Sequence, residues 1–577
     1  MAAHDVVVRG GTVVDGNGGP PRTADVAVDG DRIVEVGRVS GSGRREIDAD
    51  GAVVAPGFVD IHTHYDGQAT WESRLQPSSW HGVTTVLMGN CGVGFAPAHP
   101  EHHERLIELM EGVEDIPGTA LHEGLAWNWL TFEEYLDALE ARPHDIDFAT
   151  QVPHAALRVH AMGQRAAARE VATGEEVTLM AKLAAAAVRA GALGFSTSRT
   201  LNHKSIDGEL TPSYDVRADE LVAIAAAIGE TGTGVLQVVT DFPDPTEEFA
   251  LLRRMVTESG RPLSVSLAQG GLSVSVRGAE QLHRRVLGML EQAWADGLPI
   301  RAQVAARAIG LILGLDNTLH PFMVNPVWRR LAELPAPEQA ARMHEPALRV
   351  EILAAQTNTA DRGRLGGGLI HSYELMYELG DPPNYEPPPS ATIAVRAVAA
   401  GISPVELAYD ILAGGGLLYV AAINYQDGNL NAVHEMLTHP HTLPGLSDGG
   451  AHVGTICDGS FPSTLLQHWT RDRSGARLEL PFVIQRQARD TARAVGLLDR
   501  GVLAPGYRAD LNVIDRDRMR LHRPQTRHDL PAGGRRMVQR VDGYRHTFVA
   551  GQETYADGEA TDALPGRLIR GPQPAPA

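Results

Sequence analysis

Residues 53–67 read VVAPGFVDIHTHYDG, and this stretch decides how the rest of the chain is parsed. The apolar run from Phe58 passes through Val59 and Ile61 into two histidines, His62 and His64. It predicts a short buried strand over 58–64 with polar chemistry at its C-terminal end. Working outward, similar runs recur at 84–90 (TTVLMGN), 147–152 (DFATQV), 193–198 (LGFSTS), 234–240 (GVLQVVT), 262–268 (PLSVSLA), 300–305 (IRAQVA) and 443–448 (LPGLSD). Helix-like segments lie between them, clearest at 178–192 (TLMAKLAAAAVRAGA) and 219–232 (DELVAIAAAIGETG). Eight strands alternating with helices predict an α/β fold, a (β/α)8 TIM-type barrel. An open doubly wound sheet would carry a Gly-rich phosphate turn after its first strand, and none is present.

The two ends of the chain have a different texture. Near the N-terminus, Val26 and Val28 alternate with Ala27 and Asp29, Gly30 turns the chain, and Ile33, Val34 and Val36 follow. Alternation around Asp-Gly is a hairpin signal. GVLAPGYRADLNVID and HTFVAGQETYADGEA repeat this texture near the C-terminus. Neither end has enough strands for a stable sheet alone. The expectation is therefore one small β-sandwich domain built from both termini, residues 1–56 and 500–562, flanking a barrel over 57–499. The tail 563–577 ends in GPQPAPA and is expected to be disordered. The stretch 306–442 is too long for one crossover and is expected to carry extra helices and loops. Its Pro-rich segment DPPNYEPPPS (381–390) is expected to form a lid or rim.

Composition narrows the function. The 577 residues carry 51 Lys and Arg against 71 Asp and Glu, a formal net charge of −20. Such a surface repels phosphate backbones and anionic lipid, so neither nucleic acid nor a membrane is an expected partner. No apolar stretch reaches about 20 residues, and the start MAAHDVVVRGG lacks a basic-then-apolar leader. The expected place is the cytoplasm and the expected partner a small molecule; a homo-oligomer is compatible. With two cysteines, Cys91 and Cys457, a disulfide framework is excluded.

The chemistry-bearing residues cluster at the ends of the predicted strands. His62 and His64 are spaced i, i+2 and so share a face. At the C-terminal end of a first barrel strand that face is the active-site mouth, and neutral imidazoles bind zinc and its neighbours. Asp448, in GLSDGGAH, ends the eighth predicted strand, which adjoins the first in a closed barrel. Cys91 ends the second strand in GNCGVG, and a thiolate beside a cation is a strong ligand. His154, after strand three, and His452, four residues past Asp448, are candidates to support the ligands. The loop SRTLNHKSIDGE, with Arg199, His203 and Lys204, is the candidate substrate-binding loop, because loops after barrel strands line the pocket.

Together these segments resemble the amidohydrolase superfamily, specifically its N-acyl-D-amino-acid deacylase group, over nearly the whole chain. VVAPGFVDIHTHYDG resembles the first-strand metal motif, and VTTVLMGNCGVGFAP the segment bearing a metal-binding cysteine. QVPHAALRVHAMG and GALGFSTS resemble strands three and four; LSDGGAH resembles the segment of the catalytic aspartate. GLLDRGVLAPGYRADLNVID resembles the return into the small β-domain. The resemblance implies metal ligands at His62, His64, Cys91 and Asp448, with Asp448 also transferring protons. The chain departs from that pattern. The deacylases place a histidine on strand five and another on strand six, whereas GVLQVVTDF and PLSVSLAQGG have none. Gln269 stands where the group has a lysine for the substrate carboxylate, and HVGTICDGSFPS lacks the arginine expected after strand eight.

The expectation is a metal-dependent amidohydrolase with one divalent metal, zinc by ligand chemistry. It would act on a substrate larger than a simple N-acyl-D-amino acid, or cyclic. The alternatives are a non-hydrolytic barrel enzyme using the same site for C–C cleavage, dehydration or cyclisation, and a metal-poor pseudo-hydrolase used for binding.

Overall fold

The computed structural model describes residues 3–270, 281–359 and 364–577. Its centre is an eight-stranded parallel sheet whose strands lie side by side in chain order. They span Phe58–Asp60, Val83–Met88, Asp147–Pro153, Gly194–Arg199, Val235–Thr240, Leu263–Leu267, Ile300–Val304 and Thr442–Pro444. Each overlaps a strand predicted from an apolar run, but the first and last are shorter than predicted, so that His62, His64 and Asp448 lie past their ends. The ring closes through the chain just past the first and last strands. Thr63 bridges Gly449 in parallel, Asp448 N donates to His62 O at 3.1 Å and His64 N donates to Gly449 O at 2.8 Å. Gly449 is required for this closure: a Cβ there would come within 2.4 Å of Ser78 Oγ. Its role is close packing of the last strand's loop onto the first.

The barrel interior is divided by polarity. Val59, Leu87, Ala149, Leu193 and Leu443 form an apolar cluster toward the N-terminal ends of the strands, joined by Ile569 from the tail. His62, His64, Cys91 and Asp448 lie past the C-terminal ends of their strands. The tail is therefore ordered by its aliphatic pair: Leu568 and Ile569 are buried. Ile569 N donates to Phe148 O at 2.7 Å and Gln573 N donates to Gly496 O at 2.9 Å. The expectation of disorder, drawn from the prolines, overlooked this apolar anchor.

Both termini build one nine-stranded sheet. Val53–Pro56 sits at its centre, parallel to His4–Val13 and antiparallel to Leu511–Ile514. The hairpin over Gly30 pairs Val28 with Ile33 and Val26 with Val36. The 306–442 connection carries more than a rim. It holds a three-stranded antiparallel sheet of Ile309–Leu313, Met376–Leu379 and Leu417–Ile423, with a core of its own around Leu313, Phe322, Ile352 and Tyr409. The Pro-rich segment is pinned to its surroundings by its aromatic and acidic residues. Arg307 stacks 3.6 Å from the Tyr385 ring centroid, and Glu386 pairs with Arg473 at 2.9 Å and His468 at 2.8 Å.

Candidate metal centre

His62 and His64 lie just past the first strand, fully enclosed. Each ring faces an oxygen through Nδ1, His62 with a hydrogen bond and His64 without one. His62 Nδ1 donates to Gln303 Oε1 at 2.6 Å, and Gln303 Nε2 in turn donates to Ser264 Oγ at 2.9 Å. His64 Nδ1 lies 3.2 Å from Glu114 Oε1. Fixing Nδ1 selects the tautomer that leaves Nε2 free to ligate. The free nitrogens converge: His62 Nε2 is 3.3 Å from Cys91 Sγ and 3.2 Å from Asp448 Oδ1. His64 Nε2 is 3.7 Å from the same Asp448 oxygen. His62, His64 and Cys91 offer ligand atoms all within 4.8 Å of one another, the one such group among the described residues. Asp448 stands at its edge.

Backbone strain marks the same residues. Cys91, Asp448 and His452 all adopt left-handed φ, at 56°, 49° and 50°. Non-glycine residues pay for that conformation, and it persists where the surroundings hold a side chain in a working position. Cys91 is fixed by Gln237 of the fifth strand, whose Oε1 accepts from Cys91 N at 3.2 Å. Strands five to seven thus supply support: Gln237, Ser264 and Gln303 hold ligands in place.

The electrostatics call for a cation. Burial pushes the Cys91 thiol up to about 12 and holds the His62 imidazole down to about 4. Burial also opposes charge on Asp448, yet His62, His64 and His452 keep its carboxyl well below the usual range. Burial raises Glu114. Both nitrogens of His64, both oxygens of Glu114 and Oδ1 of Asp448 are buried without a hydrogen-bond partner. Buried polar atoms are normally satisfied. A cluster of imidazole, thiol and carboxylate donors left open on one side fits a divalent metal, with zinc favoured by the N/S set.

The other residues singled out in the sequence divide. His452 Nε2 lies 3.9 Å from Asp448 Oδ2 and 3.7 Å from Glu114 Oε2, so it faces both carboxylates. His203 and Lys204 line the cavity above the cluster. His203 lies 2.8 Å from Ser198 Oγ, and burial lowers its imidazole to about 3. Arg199 is a correction: its guanidinium is committed to Glu248 at 2.6 Å and to Val216 O, and it does not line that cavity. His154 also differs from expectation. It sits between Thr197 Oγ1 at 2.8 Å and Glu220 Oε1 at 2.9 Å, within an ion network with Arg158, and touches no ligand. Cys457 is a free buried thiol, its carbonyl accepting from Arg307 at 2.8 Å.

Two functional side chains were missed in the sequence. Glu114 ends the helix His103–Glu114, where it shares the buried face with Ile107, Met110 and Val113. A carboxylate at i+4 from Met110 and i+7 from Ile107 was a readable anomaly. Gln303 was likewise a polar residue inside a buried strand.

This architecture, a parallel barrel with a donor cluster at the C-terminal strand ends, defines a metal-hydrolase type of fold. Residues 45–555 match the amidohydrolase family, and the chain belongs to it. A D-aminoacylase of Alcaligenes xylosoxydans xylosoxydans is 27% identical over 575 residues, covering 98% of this chain and 97% of its own. A solved D-aminoacylase, described with a binuclear metal center showing one-metal activation and second-metal attenuation, aligns with a TM-score of 0.65 at 23% identity. That alignment covers 98% of this chain and 100% of the other. N-acyl-D-glutamate deacylase from Bordetella bronchiseptica, solved with zinc and a phosphonate mimic of the tetrahedral intermediate, aligns at 0.63 and 22% identity. There the coverage is 98% and 99%. Membership of the family makes the protein a hydrolase of amide-type C–N bonds.

Proposed function

We propose that the protein hydrolyses an amide-type bond of a small molecule at a single divalent metal. His62, His64 and Cys91 would hold the metal, and Asp448 would move the proton. The observation that carries this is the convergence of two Nε2 atoms and a thiol within 4.8 Å, beside a carboxylate oxygen that lacks a partner. When bound, such a metal supplies Lewis acidity toward a carbonyl oxygen and toward water. Asp448 stays ionised and can take a proton from water at Oδ1, then release it to the leaving nitrogen. His452 faces the second oxygen, Oδ2, and keeps the carboxylate aimed. Gln303 fixes the His62 imidazole by a hydrogen bond, and Glu114 stands 3.2 Å behind that of His64.

The stoichiometry of one rests on the fifth and sixth strands, Val235–Thr240 and Leu263–Leu267, which carry no histidine. A cavity of about 970 Å³ opens over the cluster, of the size that takes a small molecule. No helix among the described residues is long and apolar enough to cross a membrane. The proposal includes a cytoplasmic setting, in keeping with the net charge of −20. Elemental analysis of gently purified protein, paired with an amidase assay across metal titration, is the test. Activity saturating near one equivalent of zinc per chain is expected. Activity requiring two equivalents, or amide hydrolysis unaffected by a chelator, overturns the reading.

A further inference from the structure

The interior of an eight-stranded barrel is normally filled by layers of side chains. Here the N-terminal half is filled on one side only, where Val59, Ala149 and Leu193 pack against Leu497 and Ile569. Toward strands five to eight lies a cavity of about 630 Å³, which shares no lining residue with the one over the metal cluster. Val235, Leu263 and Pro299 border it, at or just before the first residues of strands five, six and seven. It therefore opens at the end of the barrel opposite the metal.

The floor of this cavity is lined with amides. Gln151, Gln237 and Gln303 all border it and all are almost fully buried. Gln303 is spent on His62 and Ser264. The other two each keep one atom open, and the surrounding network fixes which. Cys91 N can only donate, so the Gln237 atom that accepts from it at 3.2 Å is Oε1. Gln237 Nε2 is left buried without a partner. Asn90 Nδ2 donates to two carbonyls, Thr63 O and Leu87 O, so the Asn90 oxygen accepts from Gln151 Nε2 at 2.9 Å. Gln151 Oε1 is then the atom left over. One donor and one acceptor stand open at the deep end, although buried polar groups are normally paired.

The rim is cationic. Arg301 lies two residues before Gln303 on the seventh strand, so the two side chains share a face about 7 Å apart. Arg486 and Arg493 reach the same rim from the helical stretch 480–494. One acid, Asp490, also lines it. Asp490 is already engaged by Arg489 at 3.1 Å, which does not line the cavity, by Gln485 at 3.1 Å and by Arg486 at 3.7 Å. Arg301 stacks on Trp294 and donates to Pro440 O at 3.2 Å. Neither Arg301 nor Arg493 has an acid within ion-pair distance among the described residues. The rim thus keeps an excess of positive charge after Asp490 is counted.

We propose that this rear cavity is a second ligand site, separate from the reaction, for a small carboxylate with a neutral amide or hydroxyl at its far end. The carboxylate meets Arg301 and Arg493 at the rim. The neutral group both donates and accepts, and so answers Gln151 Oε1 and Gln237 Nε2 together. Gln237 is also the side chain that holds Cys91 N, which places the occupant one amide away from the metal cluster.

Calorimetry on zinc-loaded protein tests this with three five-carbon probes. Glutaramate carries both groups, pentanamide lacks the carboxylate, and pentanoate lacks the amide. Glutaramate should bind about tenfold more tightly than pentanamide and about fivefold more tightly than pentanoate. In the Arg301→Gln/Arg493→Gln double variant the carboxylate advantage should vanish. Arg493 is exposed, so Arg493→Glu reads the rim without disturbing the stack on Trp294, and it should remove the same advantage. In Gln151→Met the amide advantage should narrow with the carboxylate advantage intact. Glutaramate failing to bind, or binding no more tightly than pentanamide, overturns the proposal. So does a carboxylate advantage that survives in Arg493→Glu, as it would for a carboxylate held at the metal, or an amide advantage untouched in Gln151→Met.

Discussion

The barrel buries charge at both of its ends, and the two ends are balanced in opposite ways. At the N-terminal end of the third strand, Asp147 is met by Arg500 at 2.8 Å and Arg508 at 2.8 Å, and Arg500 also pairs with Asp499 at 2.9 Å. Two permanent cations answer a small group of aspartates, and the cluster ties the barrel to the strand Leu511–Ile514 that follows Asp510. At the mouth, Asp448, Glu114 and Cys91 are enclosed with His62, His64 and His452. Among the described residues, no arginine or lysine pairs with these carboxylates. Neutral imidazoles aim carboxylates without neutralising them. The first cluster carries its own cations; the second has none among the described residues and fits a bound one. The difference follows from location: conservation of charge balance at the bottom serves stability, and open valence at the mouth serves chemistry.

The sharpest way to break this comparison is to exchange the consequences. Asp448→Asn should lower kcat on the order of ten-thousandfold, the upper range for removing a general acid–base group. Its melting temperature should stay near that of the parent. A variant that keeps a tenth of the parental rate would remove Asp448 from proton transfer. Arg500→Met at the other end should do the reverse. It leaves the buried Asp499 without its ion-pair partner and Asp147 with Arg508 alone, at a cost of about 3–5 kcal/mol, read as a lowered denaturation midpoint. Turnover per folded molecule should change less than about twofold. A large kcat loss with unchanged stability would show that the bottom network reaches the chemistry.

How much of this was legible in the sequence depended on whether a residue's role is set locally. His62 and His64 announce themselves because two imidazoles at i, i+2 follow an apolar strand, and strand spacing alone puts both on one face. Asp448 was placed by counting strands around a ring, so the closure seen at Thr63 and Gly449 had to hold for the assignment to work. Glu114 and Gln303 were missed because their partners are remote: Gln303 is 241 positions from His62. Arg199 was misjudged for the same reason, since Glu248 reaches it from the helix Pro245–Ser259. The sheet within 306–442 was missed because its strands alternate with long irregular stretches. The tail was misread because the prolines drew more weight than Leu568 and Ile569.

Glu114 gives the finest test of the two balances, because it is a buried carboxylate at the mouth that resembles Asp147 at the bottom in everything but its partners. Its side chain is fully enclosed and faces His64 Nδ1 at 3.2 Å. A carboxylate behind a ligating imidazole raises the ring's basicity and fixes its orientation, and its loss weakens metal affinity by about 10–100-fold. Glu114→Gln keeps the length and an oxygen for Nδ1 but removes the charge. Zinc affinity, measured by competition with a chromophoric chelator, should fall within that range, while kcat at saturating zinc changes by less. The metal-free protein gives the opposite sign. There Glu114 is destabilising through burial and through repulsion from Asp448, both of which raise its proton affinity. The neutral amide should therefore leave the metal-free melting temperature unchanged or higher, whereas Asp147→Asn, which removes the carboxylate shared by two buried arginines, should lower it. If Glu114→Gln instead destabilises the metal-free protein as Asp147→Asn does, and leaves zinc affinity within threefold of the parent, then Glu114 is structural and the two ends of the barrel are built alike.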